Sequence, residues 1–126
     1  LGMTKTLLAL TPWGLRMHKP TRPQMYVIVR SDFSSTYKMV QGTHALAAYT
    51  LNHPEKLKTW NNEYLIFLET FLEQNLKSLY VNLLTKDIVV SAFREPDQNN
   101  QITAIAVYED GTGRVKKALD GLSTAK

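Results

Sequence analysis

Met25-Tyr-Val-Ile-Val-Arg30 is a short β-branched and aromatic run, apolar on both faces, the pattern of a strand buried in the middle of a sheet. Ser34 and Ser35 then offer N-cap hydroxyls, and Val40, His44, Ala47, Ala48 and Leu51 recur at helical spacing up to Asn52-His53-Pro54. This spacing predicts a helix whose apolar stripe includes His44. Pro54 to Trp60 adds a brief helical turn, with proline in the first turn where its missing amide proton costs nothing. Glu63 to Leu68 reads as a second strand, and Thr70 to Leu84 as a helix with Leu72, Leu76, Leu79, Tyr80 and Leu83 on one face. Asp87 to Phe93 and Ile102 to Tyr108 read as strands three and four, separated by a polar loop rich in Asn and Gln. Arg114 to Leu122 reads as a last short helix after Gly111 and Gly113.

Strands separated by helices of this length imply crossover connections. The expected architecture is α/β, a three-layer α/β/α sandwich around a four-stranded, mostly parallel (mixed) sheet. At 126 residues, with 44% hydrophobic and 21% charged side chains, the chain has the size and composition of one ordinary domain. Residues 1 to 24 carry Pro12, Pro20 and Pro23 and no sustained period, and read as a basic, flexible tail ahead of a single domain over 25 to 126.

The net charge of +4 lies entirely in that tail, in Lys5, Arg16, Lys19 and Arg22, with no acid among them. The rest of the chain balances 11 basic against 11 acidic side chains, so bulk charge does not argue for the clustered cations that displace counterions from a nucleic acid. With no cysteine, disulfide and thiolate chemistry are excluded and the cytoplasm is the expected location. The apolar stretch Thr6 to Leu15 is interrupted by Pro12 and Gly14 and lacks an Ala-x-Ala cleavage site, against a signal sequence. No run approaches the roughly 18 apolar residues that span a bilayer, so no membrane partner is expected.

The sequence contains no Gly-rich phosphate loop, no His-Glu-x-x-His and no Gly-x-Ser-x-Gly elbow. His18, His44 and His53 lack the mutual spacing of a metal site, and no metal is expected. What remains is the helix segment Lys38-Met-Val-Gln41-Gly-Thr-His44-Ala-Leu-Ala-Ala48, in which Gln41 and His44 are three apart and project from neighbouring positions. His44 reads either as a buried, hydrogen-bonded core residue or as an imidazole that orients a substrate or a water near neutral pH. Gln41, with two donors and an acceptor, suits a carbonyl or a ribose hydroxyl. In the loop after strand three, Arg94 suits a phosphate, and Glu95 and Asp97 add two carboxylates. Arg94-Glu95-Pro96-Asp97 reads equally as a solvated turn, and Thr103 as a plain strand residue.

The strand end Val29-Arg30-Ser31-Asp32 followed by Gln41-Gly-Thr-His44-Ala45 resembles the opening of the type II peptidyl-tRNA hydrolases, and the order of elements from Met25 to Tyr108 is similar. The resemblance implies hydrolysis of the ester between a peptide and the terminal ribose of tRNA, without a cofactor, by a homodimer with tRNA or another RNA as partner. It carries the family's glutamine onto Gln41 and its strand-four threonine onto Thr103. The family's lysine position holds Tyr37, with Lys38 one residue later, and its aspartate at the end of strand three is replaced by Ser91. Catalytic candidates are therefore Lys38, Gln41, His44 and Thr103, with Arg94, Glu95 and Asp97 as substrate-binding candidates. The alternative is a non-catalytic relative that binds RNA, a nucleotide or a protein, or an interaction domain whose basic tail docks on an acidic partner.

Overall fold

A computed structural model of the chain describes residues 20–126. The element order is β1 (Gln24–Arg30), α1 (Ser35–Asn52), α2 (Pro54–Trp60), β2 (Leu65–Thr70), α3 (Glu73–Thr85), β3 (Val90–Glu95), a 3-10 turn (Pro96–Gln98), β4 (Gln101–Glu109), α4 (Arg114–Ala118) and β5 (Ser123–Thr124). Of the tail expected over residues 1 to 24, residues 1 to 19 lie outside the described residues, and Gln24 is the first residue of β1. Residues 20 to 23 lie against the domain: Thr21 donates its backbone N–H to the Gly111 carbonyl at 3.0 Å, and the Arg22 guanidinium stacks on Tyr64.

Among the described residues five strands form one sheet in the order β3-β4-β1-β2-β5. This corrects the expected four-stranded, mostly parallel sheet: β1 and β2 pair in parallel, while β1–β4, β3–β4 and β2–β5 pair antiparallel. The crossovers do send β1, β2 and β3 in one direction. What breaks the parallel pattern is β4, which returns by a tight hairpin after β3 and enters between β3 and β1. β5 was missed because two residues are too short for a periodic signal.

All seven residues of β1 are buried, as the doubly apolar run required. Its side chains alternate between two cores. Met25, Val27 and Val29 pack with Ala45, Tyr49, Trp60, Ala104 and Ala106 beneath α1 and α2. Tyr26 and Ile28 pack with Leu76, Leu83, Ile105, Val107, Val115 and Leu119 beneath α3 and α4. Helices thus cover both faces and the three layers are present.

The edges of two strands move for identifiable reasons. β2 starts two residues later than the pattern implied, after Asn61 and Asn62 both adopt positive φ. β3 starts at Val90 because α3 closes with Asp87 at φ 57 and Ile88 donating back to the Leu83 carbonyl at 3.0 Å, a wrapped helix end that consumes the first expected strand residues. The same shift carries β3 on to Glu95.

The largest correction concerns α1. Its buried residues are Lys38, Gln41, Gly42, Ala45 and Tyr49, whereas Val40 is 45% exposed and Leu51 81%; His44 is exposed and lies outside both cores. Of the stripe read from Val40, His44, Ala47, Ala48 and Leu51, Val40 and Leu51 lie on the outer face and His44 on the flank beside β3. α1 turns polar and small residues inward instead, and Gly42 shows why: a Cβ there would lie 2.5 Å from Phe67 Cε2 and 2.9 Å from Val27 Cγ1. The helix sits so close to the sheet that only glycine fits at that level.

Candidate functional site

α1 is capped by Ser34, whose hydroxyl accepts from the Tyr37 amide at 3.2 Å, and runs antiparallel to β3. Three contacts mark the track in order: Gln41 meets Glu95, His44 stacks on Phe93 with centroids 4.4 Å apart, and Asn52 donates to the Ser91 hydroxyl at 3.3 Å. Ser91, Phe93 and Glu95 are alternate residues of one strand and so share the face toward α1. This track decides which β3 residue meets Gln41. Ser91, the position that the family resemblance matched to an aspartate, sits against Asn52, roughly 16 Å along the helix from Gln41 at 1.5 Å per residue. The carboxylate beside Gln41 belongs to Glu95.

Thr103 reaches Gln41 through a break in the sheet. Phe93 pairs with Ala104 and Arg94 with Ile102, leaving Thr103 as an extra residue in β4, the defining feature of a β-bulge. Alternation is interrupted there, so Ile102 and Ile105 enter the α3-side core, while Thr103 and Ala104 both turn toward α1. The buried Thr103 hydroxyl donates to Gln41 Oε1, and Gln41 Nε2 donates to Glu95 Oε1 at 3.0 Å. A carboxylate only accepts and a hydroxyl can donate, so this relay assigns the amide orientation chemically. Gln41 is 1% exposed and Thr103 fully buried, whereas Glu95 is half-buried. The relay runs from the core to a carboxylate at the surface.

Two ion pairs flank it at the same end of the sheet. Arg30, 7% exposed at the end of β1, forms a two-pronged pair with Asp32 at 3.0 and 2.7 Å, donates to Gln101 Oε1 at 2.8 Å, and stacks over Phe33. Lys38 donates through Nζ to Glu69 Oε1 at 2.9 Å and to the Lys126 carbonyl at 3.1 Å. The hydrogen bond from Arg30 holds the Asp32 carboxyl below its usual value. Hydrogen bonds from Lys38 and from the Lys126 amide do the same for Glu69. All of these groups lie at the carboxyl ends of β1, β2 and β3, the end where open α/β sheets place their ligands.

The structure therefore brings Gln41, Thr103 and Glu95 together and leaves the other sequence candidates apart. Lys38 is near but paired. His44 stacks on Phe93 at the surface, one helical step from Gln41. Arg94 is exposed and donates to the Asn100 carbonyl at 3.4 Å, and Asp97 is exposed in the 3-10 turn; both belong to the hairpin that Asn99 and Asn100 close with positive φ. Arg30, Gln101 and Glu69 were not singled out as site residues. Two-residue alternation through Thr70 would have placed Glu69 on the α1 face beside Phe67, but the strand was read as ending at Leu68.

Among the described residues no group of three or more His, Cys, Asp or Glu could hold a metal ion, and no helix is long and apolar enough to cross a membrane. No protein-family model matches the chain, and a search of curated proteins returns no match. Among solved structures, a protein of unknown function from Agrobacterium tumefaciens strain C58, Atu0240, is similar at a TM-score of 0.63 and 16% identity, covering 84% of this chain and 99% of that one. At this identity the likeness is one of fold: this chain shares a mixed α/β architecture with that protein.

Proposed function

We propose that the chain is a peptidyl-tRNA hydrolase-like esterase, cleaving the ester between a peptide and tRNA or a related conjugate. The observation that carries this reading is Glu95, a carboxylate delivered by the end of β3 to the Gln41–Thr103 pair where the resembling family has an aspartate. Glu95 acts as the general base toward an attacking water. Thr103 fixes the Gln41 amide, whose Nε2 in turn holds the Glu95 carboxylate in position. Lys38 spends two of its three ammonium protons on Glu69 and Lys126, and the third supports the oxyanion as charge develops. The tetrahedral intermediate collapses with loss of the ribose hydroxyl, which takes up the proton held on Glu95. The family resemblance further implies a homodimer, and the absence of cysteine fits a reducing cytoplasm.

The alternative, a non-catalytic relative that binds RNA, has less support. It gives no role to the Glu95 carboxylate held beside the Gln41–Thr103 pair, an acid that a surface built only to bind phosphates would not place there.

Release of peptide from a peptidyl-tRNA analogue tests the assignment. Glu95→Gln keeps the shape and the Gln41 contact while removing the base, and should lower turnover about a hundredfold or more. Equal rates for wild type and Glu95→Gln sink the base assignment. No turnover above buffer by the wild-type chain at high concentration rejects the esterase.

A further inference from the structure

β5 is two residues long and lies at the edge of the sheet, pairing Thr124 with Leu68 and Ser123 with Glu69. Ala125 then donates to the Phe67 carbonyl at 3.0 Å, and Lys126 meets the first turn of α1. Both polar groups of its main chain are taken up there. Its N–H donates to Glu69 Oε1 at 3.0 Å, and its carbonyl accepts from Lys38 Nζ at 3.1 Å and from Ser35 Oγ at 3.0 Å. One acceptor and two converging donors thus hold a single residue through its main chain, the mode that binds peptides with little regard to their sequence.

The three side chains do not need Lys126 to place them. Lys38 is 7% exposed and anchored by Glu69 at 2.9 Å, and Ser35 follows the Ser34 cap of α1. α1 and β2 are fitted closely together beside them, where Gly42 packs on the Phe67 ring. Residues 123 to 126 are held far more loosely. Ser123, Thr124 and Lys126 are exposed, and Ala125 brings one methyl group to the α1-side core. The chain ahead of them is anchored as far as Leu122, on the α3-side core, and bends at Gly121 with φ 91, where a Cβ would meet nothing within 4 Å. A short edge segment with one small side chain against the core opens at a fraction of the cost of global unfolding.

We propose that Ser35, Lys38 and Glu69 form a binding site for the main chain of a peptide, and that residues 123 to 126 occupy it as a stand-in and swing away to admit the ligand. The site rests on the contacts of Lys126. Its use by a substrate rests on the esterase reading, in which the ligand is the peptide half of the ester. Lys38 then keeps its bond to Glu69, exchanges the Lys126 carbonyl for a peptide carbonyl, and holds its third proton for the oxyanion. Recognition of main chain alone suits a reaction whose peptide varies in sequence.

Titration of the isotope-labelled full chain with the uncharged peptide acetyl-trialanine amide, followed by amide NMR, tests this. Saturable shifts should appear at residues 35 to 38 and 67 to 70. With peptide in excess, the Ala125 amide of the wild-type chain should exchange with solvent about tenfold faster, because the peptide holds the segment away from Phe67. Ala125→Asp places a charge where a methyl met the core, so the segment leaves and the peptide should bind at least about tenfold tighter. Adding Ser35→Ala to that variant should weaken binding about fivefold, through loss of one hydrogen bond. The exchange measurement keeps the question answerable if Ala125→Asp does not fold. Absence of saturable shifts overturns the site, as does unchanged Ala125 exchange, or equal affinity of wild type and a folded Ala125→Asp. On the esterase reading, Ala125→Asp should also lower KM for a peptidyl-tRNA analogue. Peptide binding with an unchanged KM keeps the site and removes the substrate from it. No turnover by either chain rejects the esterase, while the titration still decides the site.

Discussion

Thr103 donates its hydroxyl to Gln41 Oε1 only because a β-bulge turns it out of the alternation of β4 and toward α1. The contact fixes which end of the amide faces Glu95. Thr103→Val keeps the side-chain shape and removes the donor, leaving the Gln41 oxygen buried and unpaired. We expect a loss of about 1–3 kcal/mol in chemical denaturation and a fall in esterase turnover of about tenfold or more. Thr103→Ser, which retains the hydroxyl, should recover the turnover. A valine variant with wild-type turnover would show that the relay does not serve the chemistry.

The closeness of α1 to the sheet is set by Gly42. Gly42→Ala places a methyl against Phe67 and Val27 at distances that carbon atoms do not occupy, so the helix must lift or the phenyl ring must move. The expected cost is about 1–3 kcal/mol of overpacking, outweighing the modest gain in helix propensity that alanine brings. Phe67→Leu in the same chain should return part of it. A Gly42→Ala variant more stable than wild type would contradict the packing described.

The corrected register of α1 gives a direct comparison. Leu51→Ser and Val40→Thr act on the exposed face and should change stability by no more than about 0.5 kcal/mol. Tyr49→Ala, 1% exposed in the core, should cost about 3–5 kcal/mol, as large-to-small changes of buried aromatics do. If Leu51→Ser proved as damaging as Tyr49→Ala, the helix would be rotated relative to this arrangement.

That rotation shows where the sequence was legible and where it misled. β1 was read correctly because apolar residues on both faces have one explanation, burial on both faces. The inward face of α3 was legible because Leu76 and Leu83 are large and apolar, as amphipathicity assumes, although the helix starts at Glu73 and Thr70 belongs to β2. α1 violates that assumption: its inward positions are Lys38, Gln41, Gly42 and Ala45, held by hydrogen bonds, an ion pair and close approach, while valine and leucine face out. Hydrophobic periodicity therefore selected the wrong stripe on the one helix that carries the candidate site. Glu95 was legible as a candidate carboxylate but not as Gln41's partner, because that depends on the late start of β3. No local pattern encodes the bulge at Thr103 or the antiparallel insertion of β4, both of which arise from long-range pairing.

The two flanking ion pairs make an acid-sensitive contribution to stability. Asp32 and Glu69 are held below their usual 3.8 and 4.5 in the folded chain by Arg30 and Lys38, so the unfolded state binds protons first as pH falls. Their stabilisation is full above about pH 5, and declines as pH drops through the usual carboxylate range and then through the lowered folded values. Both pairs are partly exposed and should weaken in high salt. Thermal unfolding between pH 7 and pH 2 should show Glu69→Gln with a shallower acid limb than wild type. Identical limbs would mean that the Lys38–Glu69 pair contributes no net stabilisation.

Glu109 gives the sharpest stability test, because its carboxylate is fully buried and organises a loop by itself. Oε2 accepts from the Gly111 and Gly113 amides at 2.7 and 2.9 Å, and Oε1 from the Lys116 amide at 2.9 Å. Gly111 and Gly113 adopt φ of 101 and 89, conformations that allow these amides to converge on one oxygen. Glu109→Gln cannot reproduce this, since an amide presents one acceptor and would turn its NH2 toward a backbone N–H. We expect Glu109→Gln to cost about 2–3 kcal/mol, and Glu109→Ala at least as much, because three backbone donors would lose a charged acceptor inside the protein. Denaturant midpoints measure the loss. Amide NMR of Glu109→Gln should place the largest changes in residues 110 to 116 and leave the Gln41 end unperturbed. A Glu109→Gln variant as stable as wild type would mean that the three backbone donors find other acceptors once the carboxylate is gone.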